Sequence, residues 1–147
     1  MLGGEASTEI AAPIAEVWAA IEDASAAPEW QEGLKRIEVI DTDSEGRVLR
    51  ANSTSDAKVK DVTARVRFSY EEPTYMRWEQ EKGDLKSVVG EWILEDLGGG
   101  RTKATYRLEG DPGRVLGMMI RGPVEGKIRE ILVEGRPGEL KRRVEAS

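Results

Sequence analysis

The sequence predicts an α+β fold: one opening strand, two short helices, a six-strand antiparallel meander and a long C-terminal helix. Three observations carry this expectation. Between residues 34 and 109 polar and apolar side chains alternate with a period of two, the spacing of half-buried strands. The turns between these runs are short, so neighbouring strands run antiparallel. Apolar residues at helical spacing appear only near the two ends of the chain.

The opening strand is STEIA, residues 7–11. Pro13 then stands where a first helical residue belongs, and Ile14, Val17, Trp18 and Ile21 share one face at spacings of three and four. Asp23 is placed to cap a second helical turn through Ser25 to Ala27, which Pro28 limits before Trp30.

From residue 34 the strands follow in order. Ile37 and Val39 alternate with Glu38, DTDSEG turns the chain, and RVLRANST returns it. Val62, Ala64, Val66, Phe68 and Tyr70 form one face of the next strand. EEPT leads to Met76 and Trp78, KGD leads to Val88, Gly90, Trp92 and Leu94, and GGG at 98–100 leads to Thr102, Ala104, Tyr106 and Leu108. On the opposite face Arg65, Arg67 and Arg77 read as cross-strand partners of Glu79 and Glu91. Paired acidic residues such as Glu71 and Glu72 stand beside turns and read as solvated.

The stretch VLGMMIRGPVEGKI, residues 115–128, breaks this pattern with two methionines and four helix-weakening residues. Ile120, Val124, Ile128, Ile131 and Leu132 nonetheless recur at helical spacing, predicting one amphipathic C-terminal helix. EGRPG at 134–138 should kink or break it at Pro137. LKRRVEA then resumes, with Leu140 and Val144 inward.

Composition narrows the chemistry. The 147 residues fit one domain, long enough to bury a sizeable core. With no cysteine there are no disulfides or thiolate metal sites, and with no histidine the usual general base, zinc ligand and nucleophile pair are missing. No metal and no cofactor is therefore expected. No basic leader or membrane-length apolar run occurs, so a cytoplasmic protein without integral membrane association is expected. The formal charge of −6 opposes nucleic-acid binding. It is uneven: residues 114–147 hold eight Lys or Arg against five Asp or Glu, and the preceding residues hold 14 against 23. Such a basic tail either docks on its own acidic sheet or presents a surface, around Lys141, Arg142 and Arg143, to a protein partner.

IAAPIAEVWAAIEDASAAPEW resembles the opening signature of the START-like superfamily, in its bacterial polyketide cyclase/dehydrase and lipid-transport branch. YMRWEQEKGDLKSVVGEWILEDLGGGRTKATYRLEG and GELKRRVEA are similar to that branch as well, so the resemblance spans essentially the whole chain. It implies a helix-grip fold, a curved seven-stranded sheet around the long helix with a ligand cavity between them. RPG at 136–138 departs from the unbroken helix usual in the family.

A curved sheet and one helix leave a gap unless bulky residues fill it, and the chain has only eight aromatic residues. Small inward residues, Ala64, Gly90, Thr102 and Ala104, favour a void of the roughly 300–1,000 Å³ that ligand pockets occupy. Trp30, Trp78 and Trp92, with Val66, Phe68 and Met76, are candidate cavity lining, and each serves equally as core. Trp18 reads as packing. Met118, Met119 and Val124 are candidates for a movable lid at the mouth, or ordinary core beside a weak helix start. Tyr70 and Tyr106 are the candidate catalytic groups, through a hydrogen bond to a carbonyl or enolate oxygen, unless their hydroxyls simply reach water. Arg50 offers a cation to an anionic ligand if it faces inward, and its parity is ambiguous.

Three function classes follow: a non-catalytic carrier or sensor of a hydrophobic small molecule such as a lipid, quinone or polyketide; an aromatase/cyclase or dehydratase; and an interaction module using the basic C-terminal helix. The first needs only the cavity and is the preferred expectation.

Overall fold

Seven strands hydrogen-bond in the order β1-β7-β6-β5-β4-β3-β2 in this computed structural model, which describes residues 2–146. They are β1 (Leu2–Ile10), β2 (Leu34–Thr42), β3 (Val48–Asp56), β4 (Asp61–Glu71), β5 (Tyr75–Gly83), β6 (Ser87–Gly98) and β7 (Arg101–Asp111). Every pairing is antiparallel. β2 to β7 form the expected meander, and β1 closes on β7 instead of on its neighbour in sequence. Helix α1 (Ile14–Glu22) and a 3-10 helix (Ala24–Glu29) connect β1 to β2.

Boundaries differ where pairing or capping decides them. β1 begins well before residue 7 because its partner is long: Leu2 stands opposite Gly110 and Ile10 opposite Thr102. Pro13 is the N-cap of α1, one residue outside the helix. Asp23 makes no side-chain cap to the 3-10 helix, and Pro28 lies inside that helix. The proline is tolerated because the bonds around it use the N–H groups of Ala26, Trp30 and Gln31. Val39 is 45% exposed although it shares parity with Ile37, since register shifts around Asp41 turn this end of edge strand β2 away from the core.

The inward parity of the other strands is as the alternation requires. Ala51, Val66, Phe68, Met76, Trp92, Leu94, Ala104, Tyr106 and Leu108 are buried on the concave face, where Val17, Trp18 and Ile21 of α1 join them. Thr102 is buried too, its hydroxyl donating to the Ala12 carbonyl at 2.8 Å. On the convex face the charge pairs are partly rearranged. Arg77 stands opposite Glu91 but contacts Glu79 of its own strand at 3.3 Å, while Glu91 takes Arg107 at 3.3 Å and the Tyr75 hydroxyl.

The C-terminal segment is not one helix. It comprises α2 (Gly113–Met119), α3 (Pro123–Arg129), a widened π turn (Glu130–Glu134) and α4 (Arg136–Glu145). Gly122, at φ +71°, and Pro123 at the first helical positions separate α2 from α3, so Ile120 closes one helix and Val124 opens the next. The anticipated kink at RPG takes the form of the π turn. Gly135 N–H donates to the Glu130 carbonyl at 2.9 Å, five residues back, and Pro137 falls in the first turn of α4, where no N–H is needed.

α2 packs through Leu116 and Ile120 onto Ala57, Val62 and Ile128, in a small cluster that Val124 also joins. That spacing of four turns the intervening residues outward, so Met118 and Met119 are 64% and 46% exposed. α4 buries Leu140 and Val144 in the main core. Two of its basic residues contact the same chain: Arg143 pairs with Glu29 at 3.0 Å, and Lys141 bridges Glu145 and the Glu9 carbonyl.

Candidate functional site

Between the concave face of the sheet, the 3-10 helix and the join of the π turn to α4 lies a cavity of about 140 Å³. Its walls are mostly apolar. Ala24 and Ala27 contribute from the 3-10 helix, Leu34 and Ile37 from β2, and Leu132 from the C-terminal segment. The small side chains of Ser53, Ser55 and Ala64 keep the centre open on β3 and β4.

Of the residues singled out by sequence, Trp30, Val66 and Phe68 line the cavity, together with Met76, Trp78, Trp92 and Tyr106. The aromatic rings are mutually braced. Trp92 is 1% exposed, with its ring centroid 4.7 Å from that of Tyr106 and 6.2 Å from that of Trp30. The cavity is smaller than the strand pattern suggests because Gly90 does not leave a gap. A Cβ at Gly90 would lie 2.3 Å from Cε2 of Trp78, so the indole lies over the bare backbone of its cross-strand neighbour.

Tyr70, Val124, Met118 and Met119 lie elsewhere. Tyr70 stands beyond the cavity at the far end of β4: its hydroxyl donates to the Val48 carbonyl at 2.6 Å, its ring carries the Arg47 guanidinium at 4.7 Å, and Trp18 meets it edge-on. Burial pushes the Tyr70 phenol far above its ordinary value, so it stays protonated and committed to that carbonyl. The methionines lie on the outer side of α2, and Met119 borders a separate, more open depression of about 430 Å³ beside Lys60 and Arg114. Arg50 is turned away from the cavity, with Ala51, Ser53 and Ser55 taking the inner side of β3. It is held by two hydrogen bonds to Asp41, at 2.6 and 3.0 Å. Trp18 donates to Glu22 at 2.9 Å and packs in the core, as its helix face implies.

One wall of the cavity is polar, and its central residue is Arg136, only 4% exposed. Nη1 donates to the Glu32 carbonyl at 2.7 Å and to Glu139 Oε1 at 2.8 Å, while Glu139 Oε2 accepts the Glu32 N–H at 2.7 Å. The buried ion pair thus fastens α4 to the loop following Trp30. Nε of Arg136 is buried without a hydrogen-bond partner among the described residues. The Tyr106 phenol sits beside this pair. Burial raises its pKa, opposed by the nearby Arg136 charge, and the net effect keeps it protonated.

Arg136 and Glu139 are site residues that the strand and motif reading does not single out. A signal for Arg136 exists in the sequence: it stands four residues after Leu132 and four before Leu140, on the apolar stripe itself.

A family model described as polyketide cyclase/dehydrase and lipid transport matches residues 1–145. The chain belongs to that family. Its START-like fold is shared with solved structures of low sequence identity. A START superfamily protein from Mycobacterium smegmatis is 17% identical, with a TM-score of 0.82 over 98% of this chain and 97% of that one. A protein from Thermus thermophilus is 20% identical, also with a TM-score of 0.82 over 98% and 97%. The Zhui aromatase/cyclase from a Streptomyces species is 19% identical, with a TM-score of 0.64 over 98% and 82%. At these identities the likeness establishes the START-like fold alone. A search of curated proteins gave no match. Among the described residues, no helix of this START-like chain is long and apolar enough to cross a membrane.

Proposed function

We propose that this START-like chain is a non-catalytic binding protein or carrier, one ligand-binding unit that holds a hydrophobic small molecule in the cavity between sheet and C-terminal helices. The observation that carries this reading is a hollow of about 140 Å³ walled by Trp30, Trp78, Trp92 and Phe68, with a polar corner at Arg136 and Tyr106. Few well-placed polar groups in an apolar hollow are what recognition of a mainly apolar molecule needs. Acid–base work gains little support from the same residues. The Tyr70 hydroxyl is spent on the Val48 carbonyl, and Tyr106 is held protonated, so neither serves as a base near neutral pH.

Native mass spectrometry of the protein freshly purified from cells tests the reading, with an Ala64→Phe variant that fills the cavity run in parallel. A small-molecule adduct on the wild type and none on the variant is the expected result. Identical bare-chain spectra, persisting after an apolar extract of the cells is added back, would overturn it.

A further inference from the structure

The polar corner of the cavity restricts which hydrophobic molecule fits, and the restriction follows from counting donors and charges. Tyr106, Trp78 and Arg136 all line the cavity, and the Arg136 charge lies close enough to act on the Tyr106 phenol. No acceptor among the described residues takes the Tyr106 proton, which is left to the cavity that the ring lines. The unpartnered Nε–H of Arg136 is a second donor without an acceptor at the same corner. Buried donors of this kind carry a cost that an acceptor oxygen brought by a ligand relieves.

The charge count decides what kind of oxygen. Arg136 is the one charged side chain on the cavity wall among the described residues, and its charge is met by Glu139 at 2.8 Å. Both side chains of the pair are more than nine-tenths buried. A carboxylate entering the cavity would be a second anion against one guanidinium, stripped of its water in a low-dielectric space. A neutral carbonyl accepts the same hydrogen bonds without that penalty. Size and shape complete the description: about 140 Å³ is close to the ~150 Å³ of an apolar cavity that holds one benzene ring. Trp30, Trp78 and Trp92 line it with aromatic surface.

Resting on the binding reading above, we propose that the cavity selects a neutral, ring-sized molecule bearing a carbonyl oxygen, which accepts a hydrogen bond from the Tyr106 hydroxyl at the corner formed with Arg136 and Trp78. Fatty acids and other carboxylates are disfavoured as ligands. The absence of any other charge on the wall among the described residues and the presence of Glu139 behind the guanidinium both bear on that exclusion.

Three probes of nearly identical shape test the proposal: isopropylbenzene, acetophenone and benzoate, each titrated into the protein by isothermal calorimetry at pH 7. Acetophenone should bind about tenfold more tightly than isopropylbenzene, the gain of one satisfied buried hydrogen bond, and more tightly still than benzoate. In Tyr106→Phe the advantage of acetophenone over isopropylbenzene should fall below about threefold. Equal binding of acetophenone and isopropylbenzene to the wild type, or benzoate binding most tightly, overturns the proposal and leaves the cavity as a binding site. Failure of all three probes overturns the binding reading along with it. The wild-type ranking decides the matter even if the variant folds poorly.

Discussion

The Trp78 indole rests on Gly90, its directly opposed partner across β5 and β6, with Cε2 and Cζ2 occupying the space within 2.4 Å of where a Cβ would stand. The glycine therefore sets the position of one cavity wall. Gly90→Ala should push the indole into the cavity or out of register and destabilise the protein by ~1–3 kcal/mol. Gly126 provides the contrast: it lies within α3, and a Cβ there would meet nothing within 4 Å. Gly126→Ala should stabilise by ~0.5–1 kcal/mol, the helix preference of alanine. Urea denaturation of the two variants checks both signs, and tryptophan emission should shift only in the first.

The aromatic cluster and the methionines of α2 should behave oppositely. Trp92 is 1% exposed and Met118 is 64% exposed. Trp92→Ala should cost ~3–5 kcal/mol, and Met118→Ser should stay within ~0.5 kcal/mol of the wild type. Thermal or denaturant midpoints measure this. A large loss at Met118 would show that the methionine is packed after all.

The Arg136 and Glu139 pair is expected to behave as a unit. Arg136→Met leaves a buried carboxylate with its main partner gone and should destabilise by ~3–5 kcal/mol. Adding Glu139→Leu removes the stranded charge and should recover a large part of that loss. A double-mutant cycle in urea gives the coupling, and a single variant as stable as the wild type would contradict the burial of the pair.

Alkaline pH should unfold the protein before its tyrosines titrate normally. All three phenols are shifted upward: Tyr106 and Tyr70 chiefly by burial, and Tyr75, pushed up to about 12, by burial and then by its hydrogen bond to Glu91. A raised phenol favours the protonated form in the fold. Its contribution is fully present below the unfolded value of about 10 and is lost as pH rises through the folded values, for Tyr75 between about 10 and 12. Absorbance at 295 nm should therefore show little phenolate at pH 10. A tyrosine ionising reversibly there, with circular dichroism unchanged, would contradict the geometry.

Much of this fold is legible in the sequence because the inner face of each strand is apolar at every second position. Val66, Phe68, Trp92 and Tyr106 follow inward parity, and a one-residue slip would place them all in water. The C-terminal region is less legible. The apolar stripe runs through Ile120, Val124 and Ile128 as though one helix carried it, and only the local geometry of Gly122 and Pro123 divides it. The methionines read as a lid for the same reason, since their outward turn depends on Leu116 and Ile120 seating a separate short helix. The polar corner escapes notice because charged residues three apart on a helix normally face solvent. Arg136 and Glu139 are buried instead because the π turn rotates the start of α4 against Glu32.

The indole N–H signals of the four tryptophans offer the most direct measurement. Trp30, Trp78 and Trp92 line the cavity, whereas Trp18 lies outside its wall with its N–H held by Glu22. In a proton–nitrogen correlation spectrum titrated with isopropylbenzene, the first three signals should move together and saturate while that of Trp18 stays in place. Four unmoved signals at saturating isopropylbenzene, or Trp18 moving with the rest, would contradict an apolar cavity that admits a guest.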